Sequence, residues 1–161
     1  MVNIKTRRFQ LKTLTTKNVT KKYLSWFFSS EAKKYISFAQ KQLNINDLMK
    51  FVKNKEGIKD ILFLGIFTKT GNHIGNIKFE PISPKEKSAT MGILIGEKDW
   101  RSKGVATEVI MAGSKYLHKN YGIKYIHLSV NKKNTHAMYV YKKMNFKILK
   151  KSPLIMRLTL K

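Results

Sequence analysis

Residues 99–110 read "DWRSKGVATEVI", a loop of charged and small residues that runs straight into an amphipathic helix. The apolar segment "MGILIG" at 91–96 precedes it and has the character of a strand. Between the two, Ser102, Gly104 and Ala106 keep bulk away from the turn, while Arg101 and Lys103 add positive charge at its rim. A helix that starts near Gly104 leaves several amide N–H groups without an intrahelical partner, and its dipole is positive at that end. Small residues at such a junction let a ligand approach the backbone, and the ligand that suits it is a pyrophosphate. Neither GxxxxGK[ST] nor GxGxxG is present, so this is not a Walker or Rossmann loop. Plain helix capping by Gly104 is the alternative reading.

A second group of residues follows about thirty positions later. "NTHAMYVYKKMNF" sets Asn134, Ala137, Tyr141 and Phe146 on a helix that comes after a strand. The remaining chemistry is sparse. There is no Cys, which excludes disulfides, a thiol nucleophile and Cys-ligated metal. His73, His118, His127 and His136 have no HxxH or HExxH spacing, so no metal is expected. His127, in the middle of "YIHLSV", reads as a half-buried, satisfied histidine, and His136 as a surface one.

The elements that must position these residues follow from periodicity. "RFQLKTL" at 8–14 alternates apolar and polar residues as a strand does. "NVTKKYLSWFF" and "SSEAKKYISF" read as short helical pieces, and "NINDLMKFVKN" as a helix capped by Asn44 or Asn46. "ILFLGIFTKTGNHIGNIKFEPIS" is a hairpin turning at Thr70-Gly71-Asn72. A strand in "SATMGILIG", a helix over residues 104–119, a strand in 122–130, a helix ended by Asn145 and two closing strands around Ser152-Pro153 complete the chain. The expectation is one α+β domain over residues 1–161, in the order β-α-α-β-β-β-α-β-α-β-β.

Composition adds one outlier. With 33 Lys plus Arg against nine Asp plus Glu, the formal charge is +24. Such a surface attracts polyanions, from nucleic acid to phosphorylated small molecules. Yet only four of the 33 cations are Arg and the lysines are scattered, a pattern that an AT-rich genome produces without selection for binding. The N-terminal "MVNIKTRRFQ" lacks the apolar stretch of a signal peptide, and no segment is long enough to span a membrane. A cytoplasmic protein, monomer or homodimer, is expected.

The pair Arg-x-x-Gly-x-Ala, then Asn-x-x-Ala-x-x-x-Tyr with a Phe five residues on, resembles the GNAT superfamily of acetyl-CoA-dependent N-acetyltransferases. "LTTKNVTKKYLSWF", "HIGNIKFEPISP" and "MGILIGEKDWRSKGVATEVI" look like its RimJ/RimL branch. The resemblance implies a mixed, mostly antiparallel sheet flanked by helices, and acetyl transfer to a primary amine by direct attack. Arg101, Ser102, Lys103, Gly104, Val105 and Ala106 would then cradle the CoA pyrophosphate. Ile93, Leu94 and Ile95 would offer backbone groups to the pantetheine arm, and Asn134 would touch that arm or a water near the thioester. Tyr141 would be the general acid for the departing thiolate, while Trp26 and Tyr35 would line the acceptor side.

Three departures accompany the resemblance. Ser102 replaces a Gly common in the loop, a replacement tolerated where φ stays negative. Asn145 replaces the Gly before Phe146, and Asn can also adopt the left-handed conformation at a helix end. Thr90 stands where many relatives carry a Glu as base, which leaves Glu80 and Glu97 as candidate bases or as solvated strand-end charges. For the acceptor, a basic cleft attracts a nucleotide-linked amino sugar and a ribosomal-protein N-terminus presented on RNA alike. The likeness of "GNIKFEPISP" and "GILIG" to polysaccharide-cluster members puts the amino sugar first and the N-terminus next. A catalytically degenerate scaffold that binds RNA or the ribosome is the rival.

Overall fold

The computed structural model describes residues 1–161. Eight strands form one sheet in the order β1-β2-β3-β4-β5-β6-β8-β7. The strands are β1 (Asn3–Lys5), β2 (Phe9–Thr13), β3 (Leu62–Thr68), β4 (His73–Ser83), β5 (Ser88–Ile95), β6 (Tyr125–Ser129), β7 (Lys147–Lys151) and β8 (Leu154–Thr159). Every neighbouring pair is antiparallel except β5 and β6, which are parallel. The expected mixed sheet is therefore present, with one added strand: residues 3–5 pair with β2 and lengthen its edge.

Side-chain alternation sorts the sheet into two faces. Ile77, Phe79, Ala89, Met91, Ile126, Leu128 and Met156 share one face and pack with Val105, Val109, Ile110 and Leu117. Those four belong to α4 (Val105–Tyr121), and Val140 and Tyr141 of α5 (Thr135–Lys143) pack against the same core. On the opposite face lie α1 (Lys21–Ser25), α2 (Ser30–Tyr35) and α3 (Ile45–Lys53), where Tyr23, Trp26, Phe27, Leu48 and Val52 enclose Phe63. Strand β3 is covered on both sides, which is why it reads as an apolar run instead of an alternating one. The N-terminal helical region thus resolves into three helices, and Asn44 is the cap of the third: its Oδ1 accepts from the amides of Asn46 and Asp47 at 2.9 and 3.0 Å. The hairpin turn comes where expected, with the Gly71 amide donating to the Thr68 carbonyl at 3.0 Å.

No helix lies over the far half of the second face. Thr90, Gly92 and Ser129 are exposed there, and a Cβ built on Gly92 meets nothing within 4 Å.

Candidate active site

The sheet opens at its centre. Strands β5 and β6 pair only at Ser88 with Tyr125, Ala89 with Ile126 and Thr90 with His127. Beyond Thr90, β5 continues alongside β4 as far as Ile95, whereas β6 ends at Ser129. The edge of β5 from Met91 onward consequently faces a gap. Alternation decides which backbone groups reach it. The Gly96 amide donates to the Ile74 carbonyl of β4 at 3.0 Å, so Leu94 turns its groups toward β4 as well. Ile93 and Ile95 turn theirs toward the gap, and the Ile95 carbonyl accepts from Arg101 Nε at 3.1 Å. Of the three residues expected to offer backbone groups, Leu94 does not: its side chain packs with the α1–α3 core.

The gap leads to the start of α4. The amides of Ser102, Lys103, Gly104, Val105, Ala106 and Thr107 donate no hydrogen bond within the chain. Gly104, the N-cap, has φ 71°, a left-handed conformation that glycine adopts without strain. Ser102 corrects the expectation of a negative φ: it stands at 56°, so a non-glycine residue holds the left-handed turn. Left-handed residues at 102 and 104 flanking Lys103 make the alternating backbone pattern of an anion nest. Arg101 differs from expectation too. Its guanidinium folds away from the rim onto the Ile95 and Gly96 carbonyls and Glu31, the last at 2.7 Å. It straps β5 to α2.

The α5 wall is built by its own cap. Asn134 Oδ1 accepts from the Ala137 amide at 3.2 Å, which leaves the amide NH₂ of Asn134 free. Two turns on, Tyr141 is half-buried, and its hydroxyl makes no hydrogen bond within the chain. Burial pushes its pKa up to about 12, so the phenol is protonated at any physiological pH. Asn145 takes φ 68° as expected and swings Phe146 back against the Tyr141 ring, with centroids 5.6 Å apart.

Both candidate carboxylates are engaged elsewhere. Glu80 lies between Lys55 and Lys78, at 2.7 and 2.5 Å. Burial would raise its pKa, but the two ammonium groups outweigh that and hold it below the usual carboxylate range. Glu97 accepts from Trp26 Nε1 at 2.7 Å and pairs with Lys22 at 3.0 Å, and those partners likewise override burial to lower its pKa. A base needs a free lone pair and a pKa near the working pH, and neither carboxylate has both. Trp26 is only 5% exposed, and its ring lies so close over Gly96 that a Cβ there would approach it to 1.9 Å. It clamps the end of β5 and presents no free surface to an acceptor. Tyr35 is half-buried, and its hydroxyl donates to the Lys133 carbonyl at 3.3 Å, tying α2 to the loop before α5.

The sequence matches the acetyltransferase (GNAT) domain over residues 8–147. The chain belongs to the GNAT acetyltransferase family. It is an acyltransferase. Enzymes of this family take their acetyl group from acetyl-CoA. A GNAT-family acetyltransferase from Bacillus anthracis superposes with a TM-score of 0.81 at 18% identity, covering 98% of each chain. RimL, a ribosomal L7/L12 alpha-N-protein acetyltransferase solved with coenzyme A, gives 0.86 at 12% identity, covering 99% of this chain and 98% of its own. The microcin C7 self-immunity acetyltransferase MccE, solved with acetyl-CoA and AMP, gives 0.81 at 16%, covering 96% and 93%. Identities this low establish the shared fold. No curated protein matches the sequence.

Three residues of this GNAT domain escape sequence reasoning. Arg8 donates to Glu108 through Nε at 2.7 Å and to the Lys103 carbonyl through Nη1 at 2.9 Å, so it braces the nest from 95 residues away. Its Nη2 lies 3.7 Å from where a Gly104 Cβ would stand, which adds a fixed cation beside the free amides. Glu108, in the first turn of α4, also accepts from Thr6 Oγ1 at 2.6 Å and the Arg8 amide at 2.8 Å. Arg157 is the third, opposite His127 in the β6–β8 register on the uncovered face. His127, expected as a satisfied histidine, is half-buried but its ring makes no hydrogen bond within the chain. No local spacing links any of these positions.

Proposed function

We propose that this acetyltransferase moves an acetyl group from acetyl-CoA to the primary amine of an acceptor that also carries negative charge. The observation that carries the donor half is the run of six free amides at the start of α4, beside a sheet that opens at Thr90. In this reading the amides of residues 102–107, with Arg8 and Lys103, hold the pyrophosphate, and Ile93 and Ile95 present backbone groups to the pantetheine. Asn134 offers its free NH₂ to the same arm. The amine attacks directly, so no nucleophilic side chain is needed.

Tyr141 serves the leaving sulfur. With its pKa at about 12, full proton transfer to a thiolate of pKa ~8.5 is uphill. Its role in this reading is a hydrogen bond that strengthens as negative charge builds on sulfur.

The acceptor class rests on Arg157. Its guanidinium sits 5.0 Å over the Tyr125 ring with no ion pair or hydrogen bond in the chain, and Lys147 faces it across β7. A half-buried Arg without a partner, on the open face beside the gap, suits a phosphate or carboxylate. An amino sugar linked to a nucleotide supplies both amine and phosphates and is preferred, with a ribosomal-protein N-terminus second. The test is a thiol-release assay with acetyl-CoA across nucleotide-linked amino sugars, N-terminal peptides, polyamines and aminoglycosides. Arg157→Leu should raise KM for the true acceptor on the order of 10-fold or more while leaving acetyl-CoA affinity unchanged. Preference for a polyamine would overturn the assignment. Failure to bind acetyl-CoA, with tight RNA binding at physiological salt, would establish the scaffold reading instead.

A further inference from the structure

We propose that His127 is the proton acceptor for the attacking nucleophile. The position is set by register: Thr90 with His127 is the last pair before β5 and β6 part, so His127 stands at the apex of the gap. Ile126 and Leu128 point into the α4–α5 core, which turns His127 to the opposite, uncovered face, where an acceptor can enter. Thr90 beside it is short and Gly92 beyond has open space above it, so nothing walls the ring off. Of the four histidines, His73 and His118 have ring nitrogens engaged, with Asn76 and the Ile123 carbonyl at 2.8 Å each. The His127 ring makes no hydrogen bond in the chain. Glu80 and Glu97, the carboxylates nearest in role, are held by Lys55, Lys78, Lys22 and Trp26.

The charges around the ring keep it able to accept. Burial comes first in lowering its pKa, and Arg157, directly opposite on β8, lowers it further. Glu86, in the turn before β5, acts in the other direction and is outweighed. Tyr125 on the same strand holds Arg157, and Lys147 on β7 adds positive charge behind it. The imidazole is therefore neutral at pH 7 with a lone pair free. In the transfer, the nucleophile's lone pair forms the new bond to the carbonyl carbon, and the C–S electron pair leaves with sulfur. The proton passes from the nucleophile to His127 and on to solvent.

This inference rests on the acetyl-CoA reading, and water serves as a probe nucleophile that needs no knowledge of the acceptor. Release of CoA thiol from acetyl-CoA alone is followed from pH 5 to 9, with acetyl-CoA affinity measured by calorimetry in each variant. Wild type should show a rate that falls on the acid side, with a midpoint below that of an ordinary histidine. His127→Asn should lose on the order of 10²-fold and that acid limb, with affinity unchanged. Arg157→Leu should move the midpoint upward. Because a misfolded variant would also lose rate, the His127 imidazole is titrated by NMR in the wild-type protein, where its midpoint must match the kinetic one. Wild-type hydrolysis no faster than in buffer, an unchanged profile in His127→Asn, or an NMR midpoint that disagrees with the kinetics would overturn the assignment. Loss of acetyl-CoA binding in wild type would instead remove the reading beneath it.

Discussion

The two walls of the gap are made of different material. In the proposed reading the donor wall is backbone: free amides from residues 102–107 and the open edge of β5, held by Arg8, Arg101 and Glu108 from outside. The acceptor wall, in the reading proposed above, is side chains from separate elements: Tyr35 on α2, Thr90 on β5, Tyr125 and His127 on β6, and Arg157 on β8. A backbone wall tolerates almost any side chain that leaves its conformation alone, whereas a side-chain wall changes its chemistry with each substitution. One fold can therefore keep its donor while it changes its acceptor.

The largest expected effect breaks the donor wall. Gly104→Asp puts a carboxylate into the nest and should abolish measurable acetyl-CoA binding by calorimetry, a loss on the order of 10²-fold or more, in a protein that still folds. Gly104→Asn sharpens the point. Asn tolerates φ 71° and carries no charge, so most of the affinity should survive. Equal loss in both variants would mean that bulk, and not charge, is what the nest rejects. Tyr141→Phe comes next. Turnover should fall by about 10²-fold with acetyl-CoA affinity within a few-fold of wild type. Full activity would take Tyr141 out of the reaction and leave solvent to serve the sulfur.

What the sequence reveals follows the same division. Strands, helices and the nest are legible because periodicity and a contiguous small-residue loop are local signals. Even there, the left-handed φ at Ser102 is not legible, since local rules disfavour that region for Ser and the surrounding turn overrides them. The acceptor wall was illegible for a plain reason: Thr90, His127 and Arg157 come together only through strand register. Glu80 and Glu97 looked available because Lys55, Lys78 and Trp26 lie 25, 2 and 71 positions away, which no motif links. Trp26 looked like an acceptor contact because helix-face aromatics resemble a platform until the sheet edge beneath them is known.

The engaged carboxylates give a milder prediction. Glu80, Glu97 and Glu108 all titrate below the usual range in the folded state. A lowered folded pKa stabilises the protein above the unfolded value, about 4.3, and that stability is lost as pH falls through the folded value. The unfolding temperature should be nearly flat from pH 6 down to about 5 and drop below about 4. Glu80→Gln leaves Lys55 and Lys78 facing each other without a counter-ion. It should cost about 1–2 kcal/mol, or roughly 3–6 °C, and flatten part of the acid drop. Its turnover at pH 7 should stay within a few-fold of wild type, whereas collapse with the fold intact would restore Glu80 as the base.

The smallest effect separates the backbone of the nest from its rim. Lys103 contributes an amide and an ammonium, and the two can be told apart. Lys103→Glu keeps the amide in place, because the Lys103 carbonyl still accepts from Arg8 Nη1 and the left-handed turns at Ser102 and Gly104 are untouched. Only the exposed charge reverses. An exposed ion pair contributes about 0–1 kcal/mol, and reversal roughly doubles that, so the Kd for acetyl-CoA should rise about 3–10-fold at low salt. The Debye length falls from roughly 30 Å at 0.01 M to about 8 Å at 0.15 M, so the difference from wild type should shrink as salt is added. The loss in Gly104→Asp should persist, since its charge lies inside the nest where ions cannot screen it. A Lys103→Glu defect as large and as salt-resistant as that of Gly104→Asp would mean that the ammonium enters the nest, and the donor wall would then be partly side chain after all.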